Sequence, residues 1–218
     1  MHNTLSAIDA CCLSVSGIYA SFTQALYGEF KKHTSFKVDS LAPKRFYESA
    51  IKAQRQFELL MQNQLGNDMS IVESEIDASA KDNFKKTKVE TIRRLKIAYR
   101  SQMLQDIQTA KLDVLRYTLA VKQKLAEGRS IESSVVGVSK SIQFKFVDRL
   151  GRQWNSDRYI AVVTRFELVK SIVFAFELAA ISANSTHLLL SNDEVVALSD
   201  IEKYSHPNTK AIPVQVVK

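Results

Sequence analysis

The chain has 218 residues, of which 45% are apolar and 24% charged, and it carries a formal net charge of +7. That length supports a real core in one large or two small domains without covalent staples. Six glycines and three prolines leave few breakers, which favours long helices. The two cysteines, Cys11 and Cys12, are adjacent. Neighbouring residues do not readily reach normal disulfide geometry, so a framework of bridges is excluded and reduced core thiols are expected.

In the first thirty residues polar side chains interrupt the apolar run from Ala10 to Gly17, and no standard signal peptide is expected. The most apolar stretch, Val169 to Ile181, contains Lys170 and Glu177. It falls short of the roughly 20 residues needed to span a bilayer, so a core helix is expected and no membrane segment.

Apolar positions at Ile8, Cys11, Cys12, Val15, Ile18, Tyr19, Phe22, Leu26 and Phe30 have helical spacing and predict a first helix over residues 4 to 31, with Asn3 or Thr4 as its cap. His33 to Leu41 reads as a loop. Pro43 suits a first helical turn, and Phe46, Ala50, Ala53, Phe57, Leu60 and Met61 carry a second helix to a stop at Gly66-Asn67. A third helical region is predicted from near Asp68 to Glu127, with a break near residues 78 to 84. Its main stripe is Ile92, Leu95, Tyr99, Met103, Ile107, Ala110, Val114, Thr118, Val121 and Leu125. A second stripe of Ile97, Leu104, Leu112, Leu115 and Leu119 predicts burial on two sides. Gly128 suits the left-handed residue that ends a helix.

The pattern changes after Gly137. Phe144 to Val147 is rich in strand formers, Asp148 to Gly151 supplies turn residues, and Arg152-Gln153-Trp154 returns as a second short strand. Asn155 or Ser156 is expected to cap a buried helix through Tyr159, Val162, Val163, Phe166, Val169, Val173, Phe176 and Ala180. Two further strands are predicted at His187 to Leu190 and Ile212 to Val217, the latter at an edge because of Pro213. The expected fold is therefore mainly α: a helical region over residues 1 to 141, then a small α+β domain over residues 142 to 218 made of the hairpin, the buried helix and one or two short strands or an extended tail.

Little in the chain spells out chemistry. His2, His33, His187 and His206 are scattered and no Cys-x-x-Cys pair exists, so no metal site assembles from local spacing. Neither phosphate-cradling glycine loop is present, and Gly137-Val138-Ser139 lacks the second glycine of a nucleophile elbow. No catalytic residue, cofactor or metal is expected. Glu73, Glu75 and Asp77 read as a solvated face. The positive charge concentrates in Lys81, Lys85, Lys86, Lys88, Arg93, Arg94, Lys96 and Arg100, which face only Asp82 and Glu90 within the same twenty residues. Such a helix can neutralise phosphates and contact DNA or a partner, although its aromatic content, Phe84 and Tyr99, is too thin for stacking on single-stranded bases. Trp154 is expected to pin the hairpin onto the next helix. Arg165, on an otherwise apolar helix, is expected to pair with a carboxylate or cap carbonyls of the hairpin.

The run from Phe146 to Trp154, followed by Tyr159, Val162 and Arg165, resembles a pattern of tailed-phage minor head (minor capsid) proteins: Phe-x-Asp-x-x-Gly-Arg-x-Trp, then Tyr-x-x-Met-x-x-Arg-Thr. Phe146, Asp148, Gly151, Arg152, Trp154, Tyr159 and Arg165 match, while Val162 replaces the Met and Phe166 the Thr. Tyr99 and Tyr117 upstream and Thr186 to Ser191 downstream fall in comparable order. The similarity spans residues 142 to 191. Members of that family commonly continue into a region bearing Cys and His, whereas this chain has Asn192 to Val196 and no cysteine after Cys12. The resemblance implies a structural virion protein of a bacteriophage, portal-associated, in the head or portal region and made in the bacterial host cytoplasm. It would act in head assembly, DNA packaging or DNA ejection, with portal or capsid protein and phage DNA as partners in a larger assembly and no enzymatic turnover. Two other classes compete. A basic helical DNA-binding protein would use residues 81 to 100, and an enzyme would gather distant titratable groups in a pocket.

Overall fold

A computed structural model describes residues 4–34, 40–128, 144–147 and 150–217. The chain is mainly helical: α1 (Thr4–Thr34), α2 (Ala42–Ser74), α3 (Ala78–Ala126), β1 (Lys145–Val147), β2 (Gln153–Asn155), α4 (Ser156–Ser182), β3 (His187–Leu190), β4 (Val195–Ala197), a 3-10 helix (Leu198–Tyr204) and β5 (Pro213–Val217). This is the mainly α architecture with a small β portion that periodicity predicts.

The boundaries differ in instructive ways. α2 does not stop at Gly66-Asn67 but runs through to Ser74. A glycine inside a helix costs about 1 kcal/mol relative to alanine, and the burial of Met61, Leu65, Met69 and Val72 on one face outweighs it. The break falls instead just before Ala78, and α3 continues unbroken from there across residues 78 to 84. Asp77 starts α3 as a cap, its Oδ1 accepting from the Ser79 amide at 2.9 Å and the Ser79 hydroxyl at 2.6 Å. Of the two residues expected to cap α1, Asn3 lies outside the described residues, and the Thr4 hydroxyl donates to the Glu75 carbonyl at 3.1 Å. Gly128 adopts φ 70, as a left-handed terminator requires.

Contacts group the chain into two compact units, residues 1–16, 61–98 and 160–218, and residues 17–60 and 99–159. Each draws on both sides of the boundary at residue 141 expected from sequence. In the first unit α3 and α4 pack antiparallel. Asn83 Nδ2 donates to the Ala175 carbonyl at 3.4 Å, the Thr87 and Ser171 hydroxyls lie 2.8 Å apart, and Arg94 reaches Glu167. A three-stranded antiparallel sheet of order β4-β3-β5 completes it, with Leu188 opposite both Val196 and Val216. Pro213 sits at the start of an edge strand, as expected. β4 was not foreseen: Val195 to Ala197 follows a turn in which Asp193 takes φ 65.

The second unit is built on aromatic packing. Tyr19, Phe22 and Phe57 meet edge to face with ring centroids 5.6 and 5.8 Å apart. The main stripe of α3 is buried there from Tyr99 to Val121. The second stripe is not. Leu112, Leu115 and Leu119 are 52, 42 and 56% exposed, and Ile97, in the first unit, is 56% exposed. The expectation of burial on two sides is therefore corrected, since periodicity marks an apolar face but not whether an element is available to cover it.

Among the described residues α1, rather than α4, is the helix long and apolar enough to cross a membrane by length and composition. Its apolar stripe, from Ile8 through Val15 and Phe22 to Phe30, is buried within the protein. Cys11 and Cys12 lie on it, free and buried. Burial pushes both thiols up, Cys12 to about 12, and for Cys11 the neighbouring Asp68 adds to the effect. Thiolate is the reactive form, so both cysteines are expected to resist iodoacetamide in the folded chain at neutral pH and to react together once urea unfolds it. Mass spectrometry of a brief alkylation pulse measures this, and rapid native labelling of either cysteine would contradict it.

Candidate functional site

Two sets of residues were singled out by sequence, the hairpin-helix motif and the basic face of α3. In the hairpin, β1 and β2 pair antiparallel with Phe146 opposite Trp154. Asp148 lies outside the described residues. Gly151 takes φ 76 where the chain turns into β2. An L side chain is disfavoured there by backbone sterics alone, because a Cβ would meet no neighbour within 4 Å. Two guanidiniums lie over the Trp154 ring, Arg152 at 5.8 Å and Arg158 at 5.4 Å from its centroid. Arg158, on the first turn of α4, ties the ring to the helix that follows, which is the pinning role expected of Trp154. Tyr159 is half-buried, and burial raises its hydroxyl pKa.

The junction between hairpin and α4 rests on a polar cluster that sequence reasoning missed. The Ser156 amide donates to the Phe144 carbonyl at 3.3 Å. The Ser156 hydroxyl donates not to its own helix but to Asp106 Oδ1 at 2.9 Å, which also accepts from Gln102 Nε2 at 3.1 Å. Tyr19 donates to Asp106 Oδ2 at 2.7 Å. All four side chains are buried, Asp106 to 1% exposure. Burial pushes the Asp106 carboxyl up to about 6, against the three hydrogen bonds that favour its ionised form. The same burial, with the nearby Asp106 charge, raises Tyr19. The available signal was a pair of polar residues four apart, Gln102 and Asp106, set on the buried face of α3 among Met103, Ile107 and Ala110.

Arg165 belongs to the first unit. Its Nε donates to the Pro207 carbonyl at 2.6 Å and its Nη2 to the Thr209 carbonyl at 3.2 Å, while Nη1 pairs with Asp9. It meets both a carboxylate and carbonyls, as expected for a partly buried guanidinium, but the carbonyls belong to the loop before β5 rather than to the hairpin.

The basic residues of α3 divide by what they touch. Lys88 is held by Glu73 at 2.9 Å, and Arg94 by Glu167 at 2.7 Å and Glu90 at 3.6 Å. These two brace the first unit. Lys85 and Arg93 carry exposed pairs with Asp82 at 3.4 Å and Glu90 at 2.7 Å, contacts that solvent screens heavily. Lys81, Lys86 and Lys96 have no ion-pair partner among the described residues. Lys85, Lys86, Arg93 and Lys96 follow helical spacing along one side of α3, with Val89 between them 73% exposed. Arg100, in the second unit, is exposed.

No group of His, Cys, Asp and Glu able to hold a metal occurs among the described residues. No family model matches the chain, and neither a curated protein nor a solved structure matches it.

Proposed function

We propose that the chain is a structural component of a tailed-phage virion, a minor head protein of the head or portal region. It is made in the host cytoplasm and acts in head assembly, DNA packaging or ejection. The observation that carries this reading is the combination of Phe146, Asp148, Gly151, Arg152, Trp154, Tyr159 and Arg165 at the family spacing. Supporting it, Gly151, Arg152, Trp154 and Arg165 of the set are held in framework contacts, with Arg158 beside them. Gly151 makes the turn, the two arginines hold Trp154, and Arg165 anchors the loop before β5. Such residues keep a surface in shape for a neighbour, which is what an assembly component requires and turnover does not. The partner on this reading is portal or capsid protein. Co-expression with the portal and major capsid proteins of a phage whose genome carries this sequence tests this. A complex that survives size-exclusion chromatography is expected, and separate elution from both would count against it.

A second reading is favoured by one observation, the cationic side of α3, on which Lys85, Lys86 and Arg93 are exposed and Lys96 partly so: contact with phage DNA, or DNA binding as a free protein. Replacing Lys85, Lys86, Arg93 and Lys96 by Ala should then lower affinity for duplex DNA and flatten the dependence of log K on log salt, by about 0.9 for each phosphate no longer neutralised. Arg94→Ala should leave that slope unchanged but lower stability, because it strips Glu167 of its partner. Filter binding across a salt series and urea unfolding separate the two effects. A slope unaffected by the fourfold variant would remove this reading.

A further inference from the structure

In the first unit a cleft of about 430 Å³ opens between α3 and α4, within the size range of small-molecule sites. Phe174 and Leu178 of α4 form its apolar side, and Phe174 is left 46% exposed. Thr87 and Ser171 also line it, and their hydroxyls satisfy each other at 2.8 Å while Thr87 also donates to the Phe84 carbonyl. They therefore make no strong demand for polar atoms of a ligand. Three cations, Lys86, Arg94 and Lys170, and one carboxylate, Glu90, complete the lining. Arg94 is engaged by Glu167 and Glu90, and Glu90 is also engaged by Arg93. The carboxylates nearby are thus matched by the arginines. Among the described residues the ammonium of Lys170 has the Phe166 ring at 5.8 Å and no ion-pair partner, and Lys86 has no ion-pair partner either. Two exposed positive charges therefore stand in excess over an apolar wall.

We propose that this cleft binds an amphipathic monoanion, a medium-chain carboxylate whose apolar body lies along Phe174 and Leu178 and whose head group meets Lys86 and Lys170. Covering an exposed aromatic side chain is favourable in proportion to the apolar area removed from water, and the two ammoniums fix the sign of the head group. A second copy of the chain fits the cleft poorly, since its net charge of +7 brings like charge to the lysines. The backbone phosphate of a duplex would satisfy the lysines but, with its bases stacked inside the helix, has nothing to place against Phe174. The site does not rest on the proposed place in a virion, although it shares Lys86 with the cationic side of α3.

Isothermal titration calorimetry of the full chain with decanoate tests the site, with acetate, inorganic phosphate and an uncharged decanoyl amide as controls. Saturable decanoate binding is expected, with acetate, phosphate and the amide each weaker by at least about tenfold. Phe174→Ser and the pair Lys86→Glu with Lys170→Glu should each weaken decanoate by a similar factor. Lys122→Glu, an exposed change in the second unit, should not. All these positions are exposed, so the variants should keep the wild-type circular dichroism spectrum. Absence of saturation, an uncharged amide that matches decanoate, or affinity that survives Phe174→Ser would overturn the proposal.

Discussion

Replacing Asp106 by Ala is expected to destabilise the chain by about 3 kcal/mol, one of the two largest single-residue effects anticipated. The carboxylate accepts from Tyr19, Ser156 and Gln102 in a buried setting. Its removal leaves donors with no acceptor of equal quality, and each orphaned buried group costs about 1 to 3 kcal/mol. Asp106→Asn separates this packing role from the charge. In the folded chain the carboxyl holds its proton up to about pH 6, against a reference value of 3.8. Between those values the folded state binds more protons than the unfolded state, so stability falls as pH rises through that window. The contribution is fully present below it and absent above it. The fall should be about 2 to 3 kcal/mol, and Asp106→Asn should abolish it. Urea unfolding followed across this range measures both effects. A wild-type profile that rises over the same window, or an Asn variant that retains the fall, would contradict the assignment of Asp106 as a carboxyl penalised by burial.

The second large effect is at Arg165. Its guanidinium joins α4 to Asp9 of α1 and to the carbonyls of Pro207 and Thr209, and these contacts hold the loop that leads into the buried residues Ala211 and Ile212. Hydrogen bonds to a charged group contribute about 1.5 to 3 kcal/mol each. Asp9 is more than half exposed and adds little. Arg165→Met is therefore expected to cost about 2 to 4 kcal/mol and to speed amide exchange from His206 to Ile212. Arg165→Lys should recover less than half of that stability, since an ammonium cannot present the planar fork that reaches two carbonyls at once. Lys restoring full stability would show that charge alone suffices and that the fork is not used.

What could be read from the chain, and what could not, follows from the range of the forces involved. α1, α3 and α4 are legible because each carries its own period: the stripe from Ile8 to Phe30, for instance, specifies a helix whatever lies opposite, while the hairpin and β3 are legible from their strand formers and the turn residues beside them. The stop at Gly66 was misread because a local propensity of about 1 kcal/mol competes with the burial of Leu65, Met69 and Val72, which depends on partners distant in sequence. The second stripe of α3 was misread for the complementary reason. Leu112, Leu115 and Leu119 look like a core face, but no described element covers them. β4 has too few residues to show a period, and it exists because Val196 completes the sheet against Leu188. The motif residues were legible as a set. Their partners were not: nothing in the spacing ties Arg165 to the carbonyls of Pro207 and Thr209, or Ser156 to Asp106 fifty residues earlier. In the basic segment composition draws no line between Lys88 and Arg94, which brace the fold, and Lys85 and Lys86, which are exposed.

The central proposal, a structural place in a phage head, is tested most directly by the particle itself. On this proposal the chain is phage-encoded, and density-gradient-purified virions of that phage should contain it, by quantitative mass spectrometry, at a fixed ratio to the portal protein. Labelling of the chain should then place it in the head or at the portal vertex by electron microscopy. Particles free of the chain, recovered from lysates that contain it in quantity, would contradict the account.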